Sequence, residues 1–254
     1  MSKNPFIFKQ FSVNQEQCAM KIGTDGVLLG AWTSIKEQPF SILDIGAGTG
    51  ILSLMLAQRS HAEIIDAIEI DDRAYEQCVD NFERSPWGDR LFCYHAALEE
   101  FVDEIDDTYD LIICNPPFFS PSLASPASSE EDTLMSNARK TARFYDAMPF
   151  GHLIESVSKL LSENGIFSVI IPFKEEKTLI DLASNFKLTP KRILHIKGTP
   201  SSKIKRSLIE FSFCAVPSNT QESDLKVNCL IIETSRHLYT KDYINLTKDF
   251  YLKM

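Results

Sequence analysis

The chain has little of what would place it among membrane, secreted or metal-clustered proteins. In its 254 residues there is no window of about 18 apolar residues, so no membrane span is expected. The start, Met1-Ser2-Lys3-Asn4-Pro5-Phe6, has no apolar signal core. The six cysteines (Cys18, Cys78, Cys93, Cys114, Cys214 and Cys229) lack C-x-x-C spacing, and several sit inside apolar runs. They read as reduced core residues of a cytoplasmic protein, not as zinc ligands or a disulfide framework, and no metal is expected. Basic residues are outnumbered: 26 Lys and Arg face 35 Asp and Glu, and the formal charge of −9 argues against a strongly nucleic-acid-binding surface overall. No internal repeat is apparent.

What the chain does have is an ordinary globular composition, 44% hydrophobic, and a length suited to one sizeable α/β domain with additions or two small ones. Its charge is unevenly spread. Residues 99–132 hold ten acids and no base, whereas residues 182–209 hold seven bases (Lys187, Lys191, Arg192, Lys197, Lys203, Lys205, Arg206) and no acid. Such runs are as readily solvated faces as binding surfaces, but the basic one is compatible with RNA phosphates.

Strand-like and helix-like runs alternate. Strands are expected at 41–45, 64–69, 91–95, 109–114 and 165–171, and helices near 51–59, 73–84, 98–104, 146–162 and 174–186. The pattern predicts a doubly wound, mostly parallel sheet with ligands at the strands' carboxyl ends. The runs 190–196, 207–215 and 227–233 have no helices between them and predict an antiparallel C-terminal edge, two of the three completing a sheet of seven strands. Residues 1–40 read as an extension packing on a core of 41–254. Its run Val27-Leu28-Leu29-Gly30-Ala31-Trp32 has the look of an apolar helix turn.

Two short segments carry chemistry. Ser41 to Ile45 leads into Gly46-Ala47-Gly48-Thr49-Gly50 and then a helical run, so strand, glycine turn and helix follow in order. The spacing is G-x-G-x-G and not the dinucleotide G-x-G-x-x-G, and Asp44 precedes it. An acid there repels a pyrophosphate but suits an amine or a sulfonium; a plain glycine turn is the alternative for this loop taken alone. Glu69, 25 positions after Asp44, ends the second strand, where a carboxylate accepts both hydroxyls of a ribose; it is otherwise a solvated strand end. Asp71 and Asp72 read as helix caps.

The second segment is Asn115-Pro116-Pro117-Phe118, after the apolar run Leu111-Ile112-Ile113-Cys114. Two prolines remove two donors and stop the strand. The Asn115 oxygen and the Pro116 carbonyl can then accept both N–H bonds of a planar amino group, with Phe118 on the ring.

These residues resemble the class I S-adenosylmethionine-dependent methyltransferases over roughly 20–172. Asp44 with Gly46, Gly48 and Gly50 matches their first motif, Glu69 the second, and Asn115 to Phe118 the motif of those that methylate an amino or amide nitrogen. The resemblance implies S-adenosylmethionine as cofactor. One departure is Ala97, where the family usually has an acid against the cofactor's adenine; a backbone amide there, or Glu99, is the substitute. His95 reads as structural. The stretch Phe8 to Val13, and then Cys18 through Lys21, Thr24, Asp25 and on to Trp32, is similar to the bacterial tRNA adenine N6-methyltransferases that act beside the valine tRNA anticodon. Ala138-Arg139-Lys140, Lys205-Arg206 and Asp249-Phe250-Tyr251-Leu252 fit that group. It implies a tRNA substrate, with Lys21, Thr24 and Asp25 near the methionine end of the cofactor. Pro117, Phe119, Arg139, Lys140, Lys203, Lys205 and Arg206 would then face the RNA, and a cytoplasmic monomer is expected. The connection from Phe119 to Asp146 reads as a lid, with Arg143 also near its end. Phe118 stands where the tRNA adenine enzymes typically have Tyr. Guanine-N2 rRNA methyltransferases and glutamine-N5 release-factor methyltransferases share the Asn-Pro-Pro turn and are the rival substrates; a non-catalytic binding module is the rival from another class.

Overall fold

The computed structural model describes residues 5–117, 149–214 and 225–254. Its strands are β1 (Phe6–Ile7), β2 (Ser12–Val13), β3 (Ser41–Ile45), β4 (Ile64–Glu69), β5 (Leu91–His95), β6 (Tyr109–Cys114), β7 (Leu161–Pro172), β8 (Leu188–Lys197), β9 (Ile204–Phe213), β10 (Lys226–Ile231), β11 (Glu233–Ser235) and β12 (Leu238–Tyr239). The described helices are α1 (Thr24–Trp32), α2 (Ile51–Arg59), α3 (Asp72–Glu83), α4 (Leu98–Glu104), α5 (Phe150–Leu160), α6 (Glu176–Ser184) and α7 (Lys241–Thr247).

Eight strands form the central sheet, in the order β10-β8-β9-β7-β6-β3-β4-β5. β3 pairs in parallel with β4 and β6, β4 with β5, and β6 with β7. Strands covered on both faces need apolar residues at successive positions, which is why Ile42-Leu43 in β3 and Leu111 to Cys114 in β6 are apolar in succession. Ile42, Ile113 and Ile170 point to one face with residues of α1 and α2; Leu43, Ile112 and Ile171 point to the other with residues of α5 and α6.

The doubly wound α/β class holds, and the C-terminal strands refine it. All three late runs enter the main sheet, making eight strands where seven were expected. β9 is antiparallel to both β7 and β8, and so lies inside the sheet, while the edge strand β10 runs parallel to β8. The short connection between β8 and β9 turns the chain straight back, which forces antiparallel pairing. β10 returns along the far side of β8. The helix expected over 146–162 is α5, beginning at Phe150, and β7 follows it without a loop.

The N-terminal residues are built into this body. Phe8, Phe11 and Val13 join the same buried cluster as Leu28, Ile42 and Phe250. Phe8 also bridges to Tyr251 near the other terminus. Arg59 closes the C-terminal end of α1, donating from Nη1 to the carbonyls of Gly30 (2.6 Å) and Thr33 (2.9 Å), two groups left without helical partners. Arg192 lies 4.1 Å over the Trp32 ring and forms a two-pronged pair with Glu210, at 2.9 and 2.7 Å.

Candidate active site

The parallel strands β3, β4, β5, β6 and β7 all deliver their carboxyl ends to one rim of the sheet, and the motif residues gather there. After Ile45 the chain turns through Gly46, Gly48 and Gly50, all with positive φ (72°, 56° and 76°). A side chain at any of the three would be strained, and their surroundings separate them by role. A Cβ at Gly50 would stand 2.5 Å from Phe82 Cε1 and 2.9 Å from Cys78 Sγ, so that glycine is required by packing against α3. A Cβ at Gly46 or Gly48 would meet nothing within 4 Å. Those two face open space, the room a ligand lying on the loop would take.

Glu69 ties this loop to the next strand. Its Oε2 accepts from Gly48 N at 2.7 Å, and its Oε1 from Ile70 N and Asp71 N at 2.9 and 3.0 Å. A carboxylate has about four lone-pair sites, so three amide bonds leave acceptor capacity for a hydroxyl. Asp71 caps α3, accepting from Ala74 N at 2.9 Å. Exposed Ile70 beside Glu69 supplies an apolar surface on the same rim.

Asp44 is fully buried beneath the loop. Its Oδ2 accepts from Ser53 N (3.1 Å) and Ser53 Oγ (2.7 Å), while Oδ1 has no partner. Burial pushes its carboxyl up to about 7, the Ser53 bonds pull down and the nearby Glu69 charge adds to the rise. A buried carboxylate with one orphaned oxygen is a site for a cation. An ammonium- or sulfonium-bearing cofactor fits that need, and the acidic lining opposes a pyrophosphate.

Asn115 follows the last residue of β6. The register sets Cys114 opposite Ile45 on β3 and Val169 on β7, which brings Asn115 level with Gly46. The first turn of α1 comes up to it: a Cβ on Gly26 would lie 4.0 Å from Asn115 Nδ2. The Asn115 side chain makes no hydrogen bond among the described residues, Pro116 is buried and Pro117 exposed. Phe118, Phe119, Arg139, Lys140 and Arg143 lie outside the described residues, as does the expected lid.

Asp25, one residue before Gly26, accepts from Arg206 Nε at 2.7 Å, joining α1 to the start of β9 across 181 positions. The expected cofactor residue and the expected RNA residue are thus partners on one rim. Lys203 and Lys205 are exposed at the β8–β9 turn of the same rim, and Lys21 and Thr24 are exposed just before and at the start of α1. At Ala97, the backbone amide donates to Glu100 Oε2 (3.1 Å), and Glu99 contacts His152 Nδ1 (3.1 Å), so both expected substitutes for the missing acid already have partners. His95 stacks on Tyr75, with centroids 5.2 Å apart, and its Nε2 is 3.0 Å from the Ile70 carbonyl, a structural role as expected.

Two residues escaped the motif reading. Ser53 holds Asp44, and its only sequence signal is a small hydroxyl in the first turn after the glycines. Asn81, buried in α3, donates to the carbonyls of Thr49 and Asn14 (2.9 Å each), clipping the N-terminal stretch to the glycine loop. Nothing local marks it. Among the described residues there is no group of three or more His, Cys, Asp or Glu placed to hold a metal, and no helix long and apolar enough to cross a membrane.

The profile of the methyltransferase small domain family matches residues 26–141. A Flavobacterium psychrophilum protein named tRNA1(Val) (adenine(37)-N6)-methyltransferase is 59% identical, over 98% of this chain and 100% of its own. One of the same name from Christiangramia forsetii is 54% identical, over 100% of both chains. Among solved structures, a "predicted O-methyltransferase" from Agrobacterium tumefaciens superposes with a TM-score of 0.61 at 19% identity, covering 89% of this chain and 96% of that one. At that identity the likeness speaks for the fold alone.

Proposed function

Because the chain belongs to the tRNA1(Val) (adenine(37)-N6)-methyltransferase family, we propose that it transfers a methyl group from S-adenosylmethionine to N6 of adenine 37 in valine tRNA. The observation that supports this most directly is the position of Asn115, an amide without a described partner, level with Gly46 and beside α1.

When bound, S-adenosylmethionine supplies an electrophilic methyl group on a positively charged sulfur. In this reading the chain's residues bind and orient. Asp44, through its orphaned Oδ1, offers the negative charge that a cationic cofactor needs, and Glu69 accepts ribose hydroxyls. Gly46 and Gly48 leave the room above the loop. Lys21, Thr24 and Asp25 flank the methionine end, and Ala97 borders the adenine end without the acid usual there.

The target adenine leaves its stack, at a cost of a few kcal/mol that is least in a loop. Asn115 Oδ1 and the Pro116 carbonyl accept from its N6 hydrogens, turning the nitrogen lone pair toward the methyl. Phe118 and Phe119 hold the ring, Pro117 borders it, and Arg139, Lys140, Lys203, Lys205 and Arg206 meet the RNA backbone. No strong general base is needed, because the N6 proton becomes acidic only as the new bond forms. Catalysis is then chiefly orientation. In this reading the step requires no metal, a tRNA substrate suits a cytoplasmic enzyme, and a monomer would suffice.

The test is methyl transfer from labelled S-adenosylmethionine to tRNA from a strain lacking this protein, followed by nucleoside analysis. N6-methyladenosine should appear in tRNA and be absent with Asn115→Ala, while that variant keeps its cofactor affinity within about threefold. Label in rRNA or protein instead would overturn the substrate, and loss of cofactor binding by Asn115→Ala would overturn the role given to Asn115.

A further inference from the structure

Strand β7 ends at Pro172 and is followed at once by Phe173, which is 39% exposed, whereas Phe167 on β7 and Phe211 on β9 are fully buried. Phe173 is held from one side. The His195 ring meets it edge-on, with centroids 5.1 Å apart and planes at 86°. His195 Nε2 lies 2.8 Å from Glu176 Oε2, the atom that also accepts from the buried Ser207 hydroxyl. A buried hydroxyl anchors the acid, the acid orients the imidazole, and the imidazole steadies an exposed phenyl ring.

A cation lies on the neighbouring strand. Pro172, just before Phe173, pairs with Arg206 on β9, and exposed Lys205 directly precedes Arg206 at a bulge in that strand. An exposed ring and an exposed ammonium on one rim are the two elements that bind a single-stranded nucleotide: a face for the base and a charge for the phosphate.

The geometry also relates this pair to Asn115. Asn115 is level with Ile170 on β7, so Pro172, the last residue of the strand, is two residues further along, about 7 Å at roughly 3.3 Å per residue, and Phe173 opens the 3-10 turn that follows. Asn115 lies toward α1, beside Gly26, whereas Phe173 packs on His195, which shares the opposite face of the sheet with Ile193. A base on Phe173 would lie across the strand end from the target, as expected for the neighbour of an extruded nucleotide.

We propose that Phe173 and Lys205 form a second nucleotide subsite, in which the phenyl ring stacks on a base adjacent to the methylated adenine and Lys205 meets the phosphate. This rests on the functional reading above. The experiment is kcat/KM for methylation of an anticodon stem-loop RNA by wild type, Phe173→Ala and Phe173→Tyr, each with the intact RNA and with an abasic nucleotide on either side of the target. Thermal unfolding and S-adenosylmethionine affinity are measured alongside.

Phe173→Ala should lose about tenfold in kcat/KM on intact RNA at unchanged cofactor affinity, and Phe173→Tyr should recover it. One of the two abasic RNAs should bring the wild type down to the level of Phe173→Ala and cost that variant nothing further. Equal losses for both enzymes on both abasic RNAs, or no loss with Phe173→Ala, would overturn the subsite. Failure of the wild type to methylate the stem-loop adenine at all would overturn the functional reading itself, and the subsite with it.

Discussion

Replacing Gly50 and Gly46 by alanine, one at a time, separates packing from ligand binding within a single loop. Both residues have positive φ, 76° and 72°, where a Cβ costs about 1–2 kcal/mol. At Gly50 the new methyl also stands 2.5 Å from Phe82 Cε1 and 2.9 Å from Cys78 Sγ, inside any real contact distance. Phe82 and Cys78 are buried on one helix and cannot both retreat, so overpacking adds about 1–3 kcal/mol. Gly50→Ala should therefore lose about 2–5 kcal/mol in all. For a chain of this size each kcal/mol lowers Tm by about 2–4 °C, which gives a fall of about 4–20 °C. Gly46→Ala has open space and should lose only the conformational part, about 2–8 °C. Its methyl would enter the room proposed for the cofactor, and S-adenosylmethionine affinity should fall at least tenfold. Thermal unfolding and calorimetric titration read the two effects. Wild-type cofactor affinity in Gly46→Ala would refute the loop as the cofactor cradle, and equal melting temperatures for the two variants would refute the packing argument.

Asp44 makes both stability and cofactor binding depend on pH. Its folded-state value of about 7 lies above that of an unfolded carboxyl, about 3.9, so the folded protein holds the proton more tightly. The stability it contributes is full below about pH 4 and is lost as the pH rises through 7, on the order of 4 kcal/mol for the cofactor-free protein. Asp44→Asn should flatten that dependence. A cationic cofactor selects the ionised form, so S-adenosylmethionine affinity should fall about tenfold per pH unit below 7, and a flat profile from pH 5.5 to 8 would count against Asp44 as its counter-charge. Arg192→Ala should leave Glu210, 4% exposed, as a nearly buried charge without its guanidinium, at a cost of about 2–4 kcal/mol once the partial exposure of Arg192 is discounted. Denaturant unfolding measures it; adding Glu210→Gln should restore part of the loss, and a loss below about 1 kcal/mol would show the pair to be energetically idle.

The sequence by itself determined what depends on neighbouring residues. Three glycines in five positions allow only a tight turn, an acid before them repels phosphates, and two prolines after an apolar run end a strand with an amide at its tip. Strand–helix alternation dictated the α/β class, because residues covered on both faces must be apolar in succession. Tertiary structure alone decided what depends on partners distant in the chain. That β9 inserts between β7 and β8 and β10 takes the edge follows from which backbone edges were left to pair, and hydrophobic runs of equal quality do not encode that choice. The Asp25–Arg206 pair spans 181 positions. Asn81 matters only because α3 brings it beneath the glycine loop, and the orphaned oxygen of Asp44 becomes informative only once burial removes water as its partner.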